Sequence, residues 1–147
     1  MLSIAIGADS AAIDLKNTIT DYLQQKGLTV TDYSYDPTGE NPIYPDVAYT
    51  LAHAIKDGKH QRGILLCGTG IGMCIVANKV NGIRAAQCHD TYSAQWARKS
   101  NNAQVIALGA RVIGPELAKE IVGAWRAAEF EGGGSALKVE ENSDHAH

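Results

Sequence analysis

Short apolar runs alternate with longer amphipathic segments along most of the chain. Residues 2–7 (LSIAIG) are largely apolar, and residues 11–26 then repeat apolar side chains every three or four positions before Gly27. The first pattern predicts a buried strand, and the second predicts a helix with one apolar face. This face comprises Ala12, Leu15, Ile19, Tyr22 and Leu23.

The strand and helix pattern returns four more times. Further strands are predicted at residues 28–33, 63–67, 82–88 and 103–109, and further helices at residues 46–57, from the glycines after residue 67 through Lys79, at residues 91–99, and from about Pro115. The inner face of the last helix is predicted to comprise Leu117, Ile121, Val122 and Trp125. Strands this short and apolar suit a parallel sheet covered on both faces. We therefore expect an α/β fold, with a doubly wound, five-stranded parallel sheet in a three-layer, Rossmann-like αβα sandwich.

The composition changes near the C-terminus. Residues 131–147 read EGGGSALKVEENSDHAH, in which glycine and charged residues are frequent and only Leu137 and Val139 are large apolar side chains. We predict that residues 1–129 form the αβα domain. Residues 130–147 are expected to form an arm and tail that contact a partner subunit.

Length and charge exclude several classes of protein. The chain has 147 residues, enough for one domain, and a formal net charge of -3. Because basic clusters are absent, we expect no nucleic acid and no anionic membrane surface as partner. No apolar run is long enough to span a bilayer, and residues 1–10 lack the basic segment of a signal peptide.

Three cysteines stand at positions 67, 74 and 88, without C-x-x-C spacing. This number and spacing argue against a disulfide framework and against a zinc site. We therefore expect a cytoplasmic protein with no metal and no cofactor. His53 and His60 are expected to be ordinary surface residues.

The segment ILLCGTGIGM at residues 64–73 is the main candidate for chemistry. It predicts that Cys67 ends the third strand and that the amides of residues 68–72 open the next helix. The positive end of a helix dipole favours the thiolate form of a cysteine, which then acts as a base or a nucleophile. The alternative is that Cys67 is a small buried apolar residue, which is the common situation for cysteine.

Other glycine loops fit less well. A dinucleotide fingerprint requires a third glycine where Met73 stands, although Asp90 lies at a suitable distance downstream. A cysteine phosphatase loop, C-x5-R, would need arginine at the same position. A P-loop would need Gly-Lys-Ser/Thr after its glycines, and GIGMCI has none.

The remaining interpretation is an anion-binding turn beside a thiol. Such a turn suits proton transfer next to a carbonyl, with Cys67 as base and with main-chain amides and the Thr69 hydroxyl stabilising the enediolate oxygen. Asp9 follows the first strand, where a carboxylate either caps a helix or binds substrate hydroxyls. Ser10 is a second capping candidate.

Several segments together resemble the type B ribose-5-phosphate isomerase and galactose-6-phosphate isomerase family over roughly residues 2–139. They are GADSAAIDLK, YPDVA, GILLCGTGIGMCIVANKVNGIRAA, YSAQWAR, NAQVIALGARVIGPELAKEIV and AEFEGG. The resemblance implies a homodimer with active sites at the subunit interface, and it leaves open whether dimers pair into tetramers. It also implies metal-independent aldose-ketose interconversion of a sugar phosphate through an enediol.

The family's functional positions are carried onto this sequence by the same resemblance. Its proton-transferring cysteine corresponds to Cys67, with Thr69 and Asp9 as further catalytic residues. The implied substrate-binding residues are Ser10, Tyr44, Gly68, Gly70, Ile71, Gly72, Ser100, Asn101, Arg111 and Lys138.

The sequence departs from the family at several ligand positions. Because the CGTGIG loop is whole, these departures indicate a changed substrate rather than lost activity. Ser10 and Ser100 stand where the family has histidine, Asn102 where it has aspartate, and Gly134 and Ser135 where it has arginine and histidine.

The serine at position 100 leads to a hypothesis about substrate. The family's histidine there opens a sugar ring, which requires an acid-base group. An aldotetrose 4-phosphate cannot close a furanose ring, because the hydroxyl that would close it carries the phosphate. We therefore expect a short acyclic substrate such as erythrulose 4-phosphate. Phosphate binding would rely on Arg111 and Lys138, with help from Arg98 or Lys99.

Other interpretations stay open from the sequence. His89 follows the fourth strand and is either a surface imidazole beside Asp90 or part of the substrate site. The chain as a whole is alternatively a non-catalytic sugar-phosphate sensor that keeps the same turn. A nucleotide-binding oxidoreductase is a more distant alternative.

Overall fold

The computed structural model describes residues 2–34 and 44–145 of the chain. Five strands alternate with helices along this part of the chain, and a sixth helix follows near the C-terminus. In chain order the elements are β1 (Ser3–Ala8), a 3₁₀ helix (Ser10–Ala12), α1 (Ile13–Gln25), β2 (Thr29–Asp32), α2 (Tyr44–Lys56), β3 (Arg62–Cys67), α3 (Ile71–Asn78), β4 (Ala85–Gln87), α4 (Thr91–Lys99), β5 (Val105–Gly109), α5 (Pro115–Ala127) and α6 (Gly134–Asp144).

The five strands form one parallel sheet in the order β2-β1-β3-β5-β4. Ala8 pairs with Leu66, and Cys67 pairs with Gly109, so β1, β3 and β5 end side by side. We call this side of the sheet the carboxyl edge and the opposite side, where the strands begin, the amino edge. The parallel sheet predicted from the sequence is confirmed, and ligands of such sheets bind at the carboxyl edge.

Helices cover both faces of the sheet, because alternate residues of each strand point to opposite sides. On one face, a buried cluster that includes Leu66 and Leu108 packs against α1, α4 and α5. On the other face, a second buried cluster packs against α2 and α3 and includes Leu65, Cys67 and Ala107. The three-layer αβα arrangement follows from these two clusters.

Two details of the predicted elements differ from the structure. β4 is shorter than the predicted strand at residues 82–88, because the chain turns at Gly82, which has a φ of 86°. The prediction that Leu117 lies on the inner face of α5 is wrong, since this residue is 40% exposed. The buried face begins at Ala118 and continues at Ile121, Val122 and Trp125. Leu117 lies one residue before Ala118, and the rotation of the helix between these two positions turns its side chain away from the buried face.

The prediction that His60 is an ordinary surface residue is wrong. Its Nδ1 lies 2.6 Å from the hydroxyl of Ser3, and its Nε2 lies 2.8 Å from the hydroxyl of Tyr33. Burial, and then the charge of Lys59, lowers the pKa of His60 below its ordinary value. A neutral imidazole therefore joins the beginning of β1 to the segment that follows β2.

The C-terminal arm folds as helix α6. The amide of Glu131 donates a hydrogen bond of 3.0 Å to the carbonyl of Lys99, which attaches the beginning of the arm to the end of α4. Within α6, Val139 is buried against the same chain, whereas Leu137 is 73% exposed. The arm therefore packs on its own domain and presents Leu137 to its surroundings.

Candidate active site

The thiol of Cys67 lies at the carboxyl edge, where β3 ends. The residue is 5% exposed, and its side chain lies on the face of the sheet covered by α2 and α3. Its sulfur is turned toward the beginning of α3, because the amide of Gly70 donates a hydrogen bond to Sγ at 3.1 Å. An N–H group directed at sulfur stabilises negative charge there. Cys67 thus combines the burial of the alternative interpretation with a polar contact to its sulfur.

The turn from β3 into α3 requires glycine at position 70. Gly70 has a φ of 80° and is the N-cap of α3. A Cβ atom at this position would lie 2.9 Å from the carbonyl carbon of Leu108. The turn can therefore lie directly against β5 only because Gly70 has no side chain.

Some of the main-chain amides predicted to bind an anion already have partners. The Gly70 amide donates to Cys67, and the Ile71 amide donates to the Thr69 hydroxyl oxygen at 3.2 Å. For Gly68 and Gly72, the described residues provide no acceptor for the amide, so these donors remain for a ligand. The Thr69 hydroxyl, which accepts from Ile71, still has its own hydrogen to donate.

Arg111 lies beside the turn and follows β5. Its amide donates to the carbonyl of Gly68 at 3.0 Å, and the next amide upstream, that of Ala110, donates to the carbonyl of Cys67 at 2.9 Å. A Cβ atom on Gly68 would lie 3.3 Å from Nη1 of Arg111, so the guanidinium lies close to this glycine. Arg111 is exposed and is therefore able to meet an anion at the mouth of the turn.

Two side chains from the end of β4 also contact this region. Gln87 donates from Nε2 to the carbonyl of Thr69 at 2.8 Å, and Nε2 of His89 accepts from the Gly109 amide at 2.9 Å. His89 is half-buried and has a structural partner, so it differs from the surface imidazole beside Asp90. The sequence alone does not indicate Gln87, because no motif marks a residue 18 positions after Thr69.

Asp9 is the N-cap of the 3₁₀ helix that follows β1. Its Oδ1 accepts a hydrogen bond of 3.0 Å from the Ala11 amide, and its own amide donates to the carbonyl of Leu66 at 3.1 Å. Asp9 is thus a cap, as one of its two interpretations predicted, and it lies at the carboxyl edge beside β3. Its second carboxylate oxygen is not used by this cap. Ser10 follows it and is exposed.

Ser100 and Asn101 lie at the amino edge, away from the thiol. They follow α4, and their side chains bond locally: the Ser100 hydroxyl donates to the carbonyl of Trp96 at 3.0 Å, and Nδ2 of Asn101 lies 3.0 Å from the Ser100 hydroxyl. The neighbouring strand β5 begins after these residues and ends opposite Cys67. Its length is about 13 Å at about 3.3 Å per residue. One chain therefore does not bring Ser100 or Asn101 to its own Cys67.

A pocket of about 420 Å³ lies at the same amino edge. Its lining residues include Arg84, Asn101 and, from the end of α6, Asn142 and Ser143. Lys138 is exposed on α6, one turn before these residues. Tyr44 begins α2, and its side chain lies outside the described residues.

The other two cysteines differ from Cys67 in their surroundings. Burial raises the pKa of the Cys74 thiol, and burial with the nearby Asp90 and Cys74 raises the pKa of Cys88 to about 12. Both sulfurs therefore stay protonated at neutral pH. Met73, which stands where a dinucleotide fingerprint would have glycine, is fully buried and serves the core.

The predicted site thus divides into two groups. The carboxyl edge holds Cys67, Thr69, Asp9 and Arg111 together with the glycine turn, and the amino edge holds Ser100 and Asn101. Within residues 2–34 and 44–145, no three His, Cys, Asp or Glu side chains form a group suited to a metal ion. In the same part of the chain, none of the helices has the length and apolar character needed to cross a membrane.

Known proteins of one family resemble this chain over nearly its whole length. A family model described as Ribose/Galactose Isomerase matches residues 4–141. The chain is 92% identical to the D-erythrulose-4-phosphate isomerase of Pectobacterium atrosepticum, over 100% of this chain and 97% of that protein. It is 47% identical to the ribose-5-P isomerase B of Listeria innocua, over 95% and 93% of the two chains. The structure of Clostridium thermocellum ribose-5-phosphate isomerase B superposes with a TM-score of 0.92 at 43% identity and covers 97% of this chain and 96% of its own. The chain belongs to the ribose/galactose isomerase family.

Proposed function

We propose that this protein interconverts an aldose phosphate and a ketose phosphate through an enediol, with erythrose 4-phosphate and erythrulose 4-phosphate as its substrate pair. The observation that carries the proposal is the hydrogen bond from the Gly70 amide to the Cys67 sulfur at the carboxyl edge. It gives the site a sulfur base with main-chain donors around it. Family membership and the 92% identical relative support the same reaction class and the same substrate.

The first step is proton transfer to sulfur. The Cys67 thiolate removes the proton from the carbon next to the carbonyl, and the electron pair of that C–H bond forms the carbon-carbon double bond of the enediolate. The thiol then returns the proton to the neighbouring carbon, while a hydroxyl proton moves between the two oxygens. Asp9, whose second oxygen is not needed by its cap, is placed to hold one of these hydroxyls.

The second requirement is to stabilise the enediolate oxygen. Within the described residues, the donors available at the turn include the Gly68 and Gly72 amides and the Thr69 hydroxyl. A preorganised donor of this kind lowers the barrier by about 3 kcal/mol. The exposed guanidinium of Arg111, beside Gly68, supplies positive charge for the phosphate.

The third requirement is a substrate that needs no ring opening. Ser100 has a hydroxyl that donates to the carbonyl of Trp96, and it offers no group that titrates near neutral pH. A tetrose 4-phosphate is already open, so it does not need such a group. A pentose phosphate would depend on spontaneous ring opening.

We also propose that two copies of the chain build each site. Ser100 and Asn101 lie at the amino edge, and a second copy is needed to bring them to the turn at the carboxyl edge. Ile71 and Ile75 on α3 are 49% and 54% exposed beside that turn, which favours an apolar contact there. Lys138 would join the site from the same partner.

The substrate is tested by steady-state kinetics on the purified protein. We expect kcat/KM for erythrose 4-phosphate to exceed that for ribose 5-phosphate by about 10-fold or more, because a group that opens the ring contributes about 100-fold or more to rate. A higher kcat/KM for the pentose phosphate would contradict the assignment to a tetrose.

The reaction itself is tested against the sensor alternative by isotope exchange. In heavy water, the wild type should place deuterium on the carbon next to the carbonyl, and Cys67→Ala should not. Cys74→Ala is the matched control, since the hydrogen-bond partners of its sulfur include the carbonyl of Ala85 and the side-chain amide of Asn78, which lie outside the glycine turn. If the wild type binds sugar phosphates but takes up no deuterium, the protein is a sensor and not an isomerase.

A further inference from the structure

Gln87, the last residue of β4, reaches from the sheet to the glycine turn. Its Nε2 donates a hydrogen bond of 2.8 Å to the carbonyl oxygen of Thr69. The residue is exposed, so its amide could be solvated by water instead. Its side chain nonetheless holds the main-chain carbonyl of Thr69, which is bonded directly to the Gly70 amide that contacts the thiol.

The carbonyl of Thr69 and the amide of Gly70 belong to the same peptide unit. A trans peptide is planar, and its C=O and N–H groups point in opposite directions. On one side this peptide accepts from Gln87, and on the other side it donates to the sulfur of Cys67 at 3.1 Å. Fixing the carbonyl therefore fixes the direction of the amide.

This peptide needs a partner to keep its orientation. Gly70 follows it and has no Cβ, so no side chain at position 70 opposes rotation of the peptide. The turn also lies on Gly109, where a Cβ atom would come within 2.7 Å of the Thr69 carbonyl oxygen. The Gly109 amide is in turn bonded to His89. β4 and the segment that follows it thus support the turn twice, directly through Gln87 and indirectly through His89.

We propose that Gln87 is a positioning residue for the isomerase reaction: it holds the peptide between Thr69 and Gly70 so that the Gly70 amide stays directed at Cys67. The inference rests on the proposed function in taking Cys67 as the base. A hydrogen bond to a peptide carbonyl also polarises the N–H group of the same peptide and strengthens it as a donor. Both effects favour the thiolate.

The test compares Gln87→Met with Gln61→Met. Methionine keeps the length of glutamine and removes its hydrogen-bonding groups. Gln61 is also exposed and also makes one side-chain contact with the main chain, to the Ser3 amide at 2.7 Å, but at the amino edge. For each protein, we measure the ultraviolet absorbance against pH and subtract the absorbance of the same protein with the additional substitution Cys67→Ala. The difference is the absorbance of the Cys67 thiolate.

We expect Gln87→Met to move the thiolate titration to higher pH and to lower kcat about 3- to 10-fold with little change in KM, as expected for the loss of one hydrogen bond. Gln61→Met should leave the titration unchanged. The amide resonance of Gly70 in nuclear magnetic resonance spectra gives a second measurement, because it should follow the Cys67 titration in the wild type and lose that dependence in Gln87→Met.

The outcomes separate this inference from the proposed function. If the titration and the Gly70 resonance change as expected but no sugar phosphate is isomerised, the positioning role stands and the isomerase proposal fails. If the protein isomerises the tetrose phosphate and Gln87→Met behaves like Gln61→Met in all three measurements, the positioning role is overturned.

Discussion

At the scale of single residues, the turn depends most on Gly70. Its positive φ costs a side-chain-bearing residue about 1–2 kcal/mol, and its contact with the backbone of β5 leaves no room for a Cβ atom. Gly58 also has a φ of 80°, but a Cβ atom there would meet nothing within 4 Å. The two positions therefore separate the cost of the backbone conformation from the cost of the steric contact.

We expect Gly58→Ala to lower the free energy of unfolding by about 1 kcal/mol and Gly70→Ala to lower it by about 3 kcal/mol. Chemical denaturation of both variants measures the difference. Gly70→Ala should also lose most of its activity, because the amide that donates to Cys67 is displaced, whereas Gly58→Ala should keep it. Equal destabilisation of the two variants would show that the turn can move away from β5.

Single residues also differ in how well their place in the site could be predicted from the sequence. Cys67, Thr69 and the glycines are contiguous, so one strand-to-helix pattern locates them together. Gln87 is 18 residues from Thr69 and reaches it only because β4 lies next to β5. Such a contact depends on the arrangement of the strands, which the local pattern of apolar residues does not contain.

At the scale of elements, strand type was predictable and strand order was not. Every residue of β3 and β5 is buried, whereas β4 is partly exposed and β2 mostly exposed. This difference agrees with the observed central and edge positions, but all of the strands are short and contain apolar residues. After β3, the chain forms β4, which is an outer strand of the sheet, and then β5, which lies between β3 and β4. The periodicity of apolar residues does not indicate this order.

An ion pair between Lys16 and Asp32 joins helix α1 to strand β2. Lys16 is 11% exposed and donates to Asp32 at 2.7 Å, and the other oxygen of Asp32 accepts from the Ser34 amide at 2.8 Å. Burial would raise the pKa of Asp32, but the hydrogen bonds from Lys16 and Ser34 outweigh it, and the pKa ends below its ordinary value of 3.8. The Ser34 hydroxyl in turn accepts from the Ala8 amide at 2.7 Å, so this pair also supports the chain just before Asp9.

We expect Asp32→Asn to lower the free energy of unfolding by about 1 kcal/mol at neutral pH, since it leaves the buried Lys16 without its counter-charge. Because the folded pKa is lowered, the contribution of Asp32 is complete above 3.8 and is lost as the pH falls through the folded value. Thermal unfolding of both proteins from pH 7 down to pH 3 should show the difference shrinking. Glu116→Gln, which breaks the exposed pair with Lys119, is the control and should change stability little.

At the scale of the whole molecule, the proposed site requires an assembly of two chains. The fold places the thiol at one edge of the sheet and Ser100 and Asn101 at the other, with β5 between them. In a twofold dimer, each carboxyl edge can meet the amino edge of its partner, which forms two equal sites. The arm at residues 130–147 would take part through Leu137 and Lys138, which are both exposed.

Hybrid dimers test this arrangement. Cys67→Ala alone and Asn101→Ala alone should each have low activity, because every site in either homodimer lacks one group. If the sites are shared, a one-to-one mixture that is unfolded and refolded together contains hybrids in which one site is intact and the other lacks both groups. About half of the dimers are hybrids and half of their sites are intact, so we expect about a quarter of wild-type activity to return. Sites built within one chain would have no such intact combination, and the mixture would stay as inactive as its parents.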